Sequence, residues 1–522
     1  MPVPHRPDET VPAAPPRVTE VESFGVAPIP VRAQTSRPFD LFRLTFGGAN
    51  TFATIILGTL PIAYGLGFAA AASATVVGVV AGALILSPMA LFGPRTRTNN
   101  AVSSGAHFGV VGRSLGSLLS LLTAVTFFSI SVWVSGDAIV GAAARFGFEG
   151  GEWLRAVAYG VIAVAVFAVC VFGYQFMLLI NKVAVVAGSA LMLLGAVAYG
   201  GAFDPSYAGS GDYVLGGFWP TWVLAVLTIM ANPVSFGGFL GDWARYIPAS
   251  RSTRSLLAAP FLAQAATLLP FLFGLATATL VADPGDYVTG LAAASPLWYA
   301  LPLLLVALIG GLSTGTTALY GTGLDFSSLV PRLNRVQGTV VVGCLALVLV
   351  FVGTFLFDIV DTINAFAVLI VLLTSPWMVI LMLGYAFRRG FYLVEDLQVF
   401  NEGRRGGAYW FRGGLNWRAL AAWALAALAG LAFANTPMLV GPLGNLAGGV
   451  DLSLPAALVT AAVVYPAAVV AFPEPRAVFG PRGPWLVPAA PEPVGGAVPE
   501  PAFRTAAAPR DAGESAPEPT AP

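Results

Sequence analysis

Twelve long apolar runs dominate this chain, at roughly 44–68, 69–92, 115–144, 154–173, 183–203, 218–240, 256–282, 297–330, 338–357, 361–387, 417–435 and 454–472. A helix rising ~1.5 Å per residue crosses the ~30 Å hydrocarbon core of a bilayer in about 20 residues. Lipid offers the backbone no hydrogen-bond partner, so runs like these cross as helices that satisfy themselves. The chain is therefore expected to be an all-α polytopic membrane protein with 12 transmembrane helices. Composition agrees, since 57% of residues are hydrophobic and only 10% charged, too little charge to cover a soluble surface of this size. The lipid bilayer is thus its first partner. A formal net charge of zero lacks the basic excess that nucleic acid binding needs, so no nucleic acid partner is expected.

The basic residues set the orientation. With the N-terminus inside, all of the 26 Lys and Arg except Arg145 and Arg155 fall in the tails and cytoplasmic loops. The outside loops carry acids instead: Asp204, Asp212, Asp283, Asp286, Asp358, Asp361 and Asp451. This obeys the positive-inside rule and predicts a multi-pass protein of the cell membrane with both termini cytoplasmic. Residues 1–37 and 476–522 are rich in Pro, Ala, Glu and Arg and contain no signal-peptide core. They are expected to be disordered cytoplasmic tails around a transmembrane domain at 38–475. Cys170 and Cys344 lie in apolar runs, so no disulfide framework is expected. The two histidines, His5 in the tail and His107 in a loop, cannot furnish a catalytic or metal cluster at membrane depth, which argues against an enzyme.

The first run, LTFGGANTFATIILGTLPIAYGLGF, departs from a smooth helix. It holds Gly47-Gly48, Asn50, Thr51, Thr54, Gly58 and Pro61. Each Gly costs about 1 kcal/mol of helix propensity against Ala, and proline removes a backbone donor. Such a segment either packs closely through small residues or breaks beside a cavity. The second half of the chain favours the break. Phe46-Gly47-Gly48 recurs as Phe236-Gly237-Gly238 in the sixth run, beside Asn232-Pro233 and Ser235. Five runs separate the two starts, so these spans point in opposite directions. That is the pattern of two inverted five-helix repeats, about 44–203 and 218–387, with two extra helices at about 417–472. In transporters built this way the site forms where corresponding helices break.

Polar residues inside the runs fit a site there. The third run contains Phe127, Phe128, Ser129, Ser131, Trp133, Ser135 and Asp137; the eighth sets Ser313, Thr314, Thr316 and Thr317 among Gly310, Gly311 and Gly315. Hydroxyls, and carbonyls freed beside glycine, suit a small hard cation; hydrogen bonding between helices is their other use. Asp137 differs, because a carboxylate inside a span costs roughly 2.5–3.5 kcal/mol or more. It must face the bundle or the outer interface.

The chain resembles the nucleobase–cation symporter family, also called the purine–cytosine permease family. The stretches GYAFRRGFYLVEDL and AYWFRGGLNWRALAAW carry the resemblance through Tyr385, Arg388, Arg389, Asp396, Leu397, Tyr409, Trp410, Gly414, Asn416 and Trp417. GPRTRTNNAVSSGAHFGVVGRSLGSLL (93–119) and GDWARYIP (241–248) add to it, and the similarity covers about residues 36 to 475. The resemblance implies substrate held between aromatics of the third and sixth spans. Phe127 matches the stacking aromatic, with Ser131 and Thr51 at hydrogen-bonding positions. The sixth-span position, often Trp, falls at or beside Pro233, next to Asn232, and an eighth-span amide position falls on Ala318 or Leu319; both are departures. The cation ligands of the family match Gly310, Ser313 and Thr314, with Gly47 and Asn50 as first-span carbonyl donors. Two hydroxyls favour Na⁺ as the coupling ion; H⁺ is the alternative, with Asp137 as the possible proton site. The resulting expectation is a secondary active cation-coupled symporter importing a nucleobase or related nitrogen heterocycle by alternating access, without a cofactor. The alternatives are a transporter of the same fold for allantoin, hydantoin or a vitamin, and a sensor or scaffold that does not transport.

Overall fold

The computed structural model describes residues 24–281, 287–330, 332–333, 335–356, 359–436, 439–490 and 503–504. Asp283, Asp286, Asp358 and most of both expected tails lie outside the described residues. Among the described residues, nine helices are long and apolar enough to cross a membrane: Phe68–Thr96, Ser114–Arg145, Gly151–Cys170, Tyr174–Tyr199, Phe218–Gly238, Thr253–Leu280, Leu297–Leu329, Leu369–Phe387 and Ser453–Ala471. They are spans two to eight, ten and twelve. Span one is a bent pair, Pro38–Ala49 and Phe52–Ala63, meeting at 62°. Two shorter apolar helices, Val336–Val352 and Trp417–Ala432, coincide with spans nine and eleven. Each of the twelve apolar runs thus falls on helix.

The two break points differ. Span one leaves helical geometry at Asn50 (φ −82°, ψ 68°) and Thr51 (φ −140°, ψ 165°). Span six stays helical through Pro233 and only tightens into a 3₁₀ turn at Phe236–Gly238 before a short helix, Leu240–Ala244. The expected break in span six is therefore a narrowing. Proline forfeits one bond but accepts helical φ, whereas Asn50 and Thr51 abandon the helix altogether.

Span five also differs from expectation. The sequence places it at 183–203 with Asn181 and Lys182 in a loop, but helix begins at Tyr174 and runs to Tyr199 through a π-turn at Ala184–Gly188. The real interruption is Gly173, whose φ of 94° favours glycine.

Packing comes in mated pairs, as two repeats require. The second half of span one packs on span seven as span six packs on span two. Span five lies against span one, and span ten against span six; span five meets span eight, and span ten meets span three. Spans three and eight face each other, each also contacting spans four and nine. Exchanging the repeats maps this set onto itself. Spans eleven and twelve pair with one another beside span ten.

The described segments nearest the two chain ends, 24–37 and 476–490, lie on one face. Residues 24–37, expected within a disordered tail, pack there, with Ile29 fully buried. Ile29 N donates to Arg97 O at 2.9 Å, and Ser36 N to Tyr246 O at 3.0 Å. Gln34 Nε2 reaches Arg245 O and Ile247 O, while Gln398 Nε2 reaches Val26 O. At the other end Val478 and Phe479 are buried, and Trp485 N donates to Phe387 O at 2.9 Å. Apolar side chains among the prolines give these segments something to bury, which composition alone hides.

Candidate substrate and cation site

The break in span one frees backbone that span eight then meets. Thr314 Oγ1 donates to Gly48 O at 2.7 Å, and Thr54 Oγ1 to Ala49 O at 2.6 Å. Gly310 backs onto the break so closely that an added Cβ would lie 3.0 Å from Thr51 Cα and 3.1 Å from Asn50 O. Asn50 itself turns toward span five, its Nδ2 donating to Ala184 O and Ser189 Oγ, each at 3.2 Å. Ala184 opens the π-turn, where a displaced carbonyl needs a donor. The Oδ1 of Asn50 is buried without a hydrogen-bond partner among the described residues.

Four hydroxyls of span eight divide into two kinds. Thr316 and Thr317 donate back into their own helix, to Ser313 O and Thr314 O. Ser313 and Thr314 leave it, Ser313 Oγ donating to Asn181 Oδ1 at 2.7 Å. The structure therefore brings together Gly47, Asn50, Thr51, Gly310, Ser313 and Thr314. All donors gathered there are neutral oxygens, a set suited to a hard monovalent cation.

The aromatic wall completes one side. Phe127 of span three lies 5.8 Å from Phe236, ring centroid to centroid, at 48°. Phe236 in turn sits 3.4 Å from where a Cβ on Gly48 would stand. Both Phe-Gly-Gly triplets thus meet at this point. Pro233 packs instead toward Gly82 of span two, so the aromatic opposite Phe127 is Phe236, three residues later. Ser131 is spent on its own helix, donating to Phe127 O at 2.8 Å. Asn232 offers a buried Nδ2 with no partner among the described residues. Leu319 packs with Phe128, Val166 and Val350, on the helix face turned from Thr314; Ala318 is buried on the Thr314 side. Asp137 stands apart, paired with Arg155 Nε at 3.2 Å and accepting from Tyr159 OH at 2.9 Å.

A second polar assembly lies under the chain ends. Asn99 Nδ2 donates to Asp325 Oδ1 at 3.1 Å, and Asn100 N to Asp242 Oδ1 at 2.8 Å. Arg245, fully buried, donates to Gly25 O and Tyr320 OH. Burial pushes the Asp242 carboxyl up to about 7, against the pull of the Asn100 bond and the Arg245 charge. Nearby, Arg388 pairs with Glu474 at 2.6 Å, and Asn416 Nδ2 donates to the same carboxylate at 2.7 Å. His107 sits against Arg388; burial, then that charge, holds its imidazole well below the usual histidine range.

Sequence reasoning missed Asn181 and the role of Phe236. A lone amide beside Lys182 reads as a loop end. Phe236 was visible in the repeated triplet, but as a marker of the break.

The profile of a family described as "Permease for cytosine/purines, uracil, thiamine, allantoin" matches residues 28–455. YxlA of Bacillus subtilis (strain 168), assigned by name to the purine-cytosine permeases, is 23% identical over 464 residues, 85% of this chain and 95% of that protein. Among solved structures, Mhp1, a nucleobase-cation-symport-1 family transporter in a closed conformation with bromovinylhydantoin bound, is similar with a TM-score of 0.64. The identity is 19%, over 86% of this chain and 96% of Mhp1. Inward-facing Mhp1 gives 0.60 at 19% identity, over 87% and 96%. A Na⁺-coupled sialic acid symporter gives 0.57 at 13%, over 83% and 90%. At these identities the likeness is one of fold.

Proposed function

Because the chain belongs to the family of permeases for cytosine/purines, uracil, thiamine and allantoin, we propose that it imports a small flat nitrogen heterocycle together with Na⁺. Membership makes it a membrane transporter rather than an enzyme. One observation supports the finer reading above the others. Ser313 and Thr314 send their hydroxyls out of span eight to span five and to the broken end of span one, beside the Phe127–Phe236 pair. Phe127 and Phe236 are the stacking walls for the ring. Thr51, Ser131, Asn232 and Ala318 border it, with the unpartnered Asn232 Nδ2 as a donor to a ring carbonyl or nitrogen. Gly47, Asn50 and Gly310 offer carbonyls, and Ser313 and Thr314 hydroxyls, to the cation.

The two sites share span one. A flat ring enters between rings 5.8 Å apart only by parting them, which moves span six against span three. A cation joining the break to span eight fixes the position of Gly48, against which Phe236 rests. Each ligand therefore favours the geometry the other needs, and by reciprocity each raises the other's affinity equally. A coupling of about 1–3 kcal/mol, typical of linked sites, corresponds to roughly 5–150-fold. The face bearing both chain ends is the cytoplasmic one, and the protein sits in the cell membrane.

Purified protein screened by thermal shift against nucleobases, hydantoins, allantoin and vitamins, with and without Na⁺, identifies the substrate. Thr314→Val keeps volume but removes the oxygen a hard cation needs. It is expected to abolish the Na⁺ dependence of substrate binding while folding normally. A Na⁺ titration like that of wild type overturns the cation site. Uptake that follows a pH gradient and vanishes in Asp137→Asn makes the ion a proton, and binding without uptake in proteoliposomes makes the protein a sensor.

A further inference from the structure

Span five carries one amide deep inside its helix, and the transport reading above gives it no task. Asn181 is fully buried. Its Nδ2 donates to Met177 O at 2.9 Å, which commits the other end of the amide, Oδ1, to face Ser313. Gly47 closes the remaining side: a Cβ there would stand 2.5 Å from Asn181 Oδ1. The amide oxygen is thus wedged between the broken half of span one and the hydroxyl of span eight.

A hydroxyl has one proton and two lone pairs. To ligate a cation it must turn lone pairs inward and send the proton elsewhere, and a buried proton without an acceptor carries a desolvation penalty. Thr314 sends its proton to Gly48 O, a carbonyl of the break itself. Ser313 sends its proton to Asn181 Oδ1 at 2.7 Å. The acceptor for Ser313 therefore comes from a third helix. That helix also holds Asn50, through Ala184 O and Ser189 Oγ.

We infer that Asn181 is a positioning residue of the cation site: it takes the Ser313 proton and so aims the hydroxyl's lone pairs at the ion. Partners just outside a ligand shell commonly set ligand orientation and basicity in this way. This inference rests on the reading that Ser313 and Thr314 face the co-transported cation. It also assigns a reason for glycine at position 47, since any side chain there would displace the amide oxygen.

The test uses the purified full-length protein titrated with Na⁺ alone, choline holding ionic strength constant, and reads the half-saturation of thermal stabilisation. Asn181→Leu is expected to raise that half-saturation at least tenfold, with the Na⁺-free melting temperature recorded separately. Ser313→Ala is expected to do the same, and the double variant to shift no more than about twofold beyond Ser313→Ala, because Asn181 acts through Ser313. A merely structural amide lowers the melting temperature and leaves the half-saturation unmoved. Asn181→Asp keeps the acceptor and adds charge; at least fivefold tighter Na⁺ is expected, and this variant carries the test should Asn181→Leu not fold. A wild-type Na⁺ curve in the Asn181 variants, alongside a shifted Thr314→Val, overturns this inference and leaves the cation site standing. No Na⁺ response in wild type, or none lost in Thr314→Val, overturns the cation site and this inference with it.

Discussion

The middle of the molecule and the face that carries its ends treat buried polar groups in opposite ways. Around the break in span one every donor is neutral: backbone carbonyls, the hydroxyls of Ser313 and Thr314, and the amides of Asn50 and Asn181. Under the chain ends the buried groups are ionisable, with Arg245 beside Asp242 and Asp325, and Arg388 against Glu474 and His107. Neutral oxygens hold a cation without a fixed countercharge, so the ion can leave. Buried charges hold each other, because stripping either partner strands the other in a low-dielectric site. On the reading proposed above, the contrast separates a region that exchanges ligands from one that fixes helix ends together.

The largest expected effect tests the charged region. Arg388→Ala leaves Glu474 buried and unpaired, and breaking such a pair costs about 3–5 kcal/mol. Melting in detergent should show a collapse of stability, while Arg388→Met with Glu474→Leu recovers much of it. A small loss in Arg388→Ala would erase the contrast. Next come the walls of the neutral region. Phe127→Ala and Phe236→Ala should each weaken substrate affinity roughly 2–12-fold, the equivalent of about 0.5–1.5 kcal/mol of aromatic contact, with Phe127→Trp tolerated. Affinity unchanged in Phe236→Ala would move the second wall elsewhere in span six.

The last effect is in pH. Burial raises the Asp242 carboxyl to about 7, so the folded protein favours its neutral form. The stability this group contributes is complete below the ordinary carboxylate value near 4 and is lost as pH rises through 7. Wild type should therefore melt higher at pH 5 than at pH 8, and Asp242→Asn should reduce that difference. The Na⁺ half-saturation of the neutral region should hardly follow. An identical pH slope in Asp242→Asn removes Asp242 as its source.

Sequence reading reached what is local or repeated. Apolar length and basic bias located the spans, and the paired Phe-Gly-Gly triplets located the helices that meet. Composition alone does not separate Ser313 and Thr314 from Thr316 and Thr317; the family resemblance singles out the first two. All four hydroxyls share one stretch, and only the neighbours Asn181 and Gly48 decide which leave the helix. Those neighbours lie 132 and 266 residues away, a distance at which no local pattern speaks. Lys182 pulled the boundary of span five past Asn181, because a charge in an apolar run marks an end far more often than a buried amide marks a middle. The position expected to hold an aromatic, Pro233, faces span two. Three residues on, where the 3₁₀ turn begins, Phe236 takes the wall against Phe127.

Residues 24–37 form a strap that joins several helix ends. This strap is fastened to the ends of spans two and six, at Arg97 and at Arg245, Tyr246 and Ile247. It is also fastened to span five and to the segment before span eleven, through Tyr174 and Gln398. Continuous with span one, which begins at Pro38, it therefore ties spans one, two and six to span five and to the segment before span eleven. For alternating access as proposed above, a path through this face requires one set of these ties to let go. Each bond is worth about 0.5–1.5 kcal/mol net, so they can release in sequence, like a clasp undone tooth by tooth. On the transport reading proposed above, the cost of that release adds to the barrier for opening this face, apart from the contacts that hold the ligands.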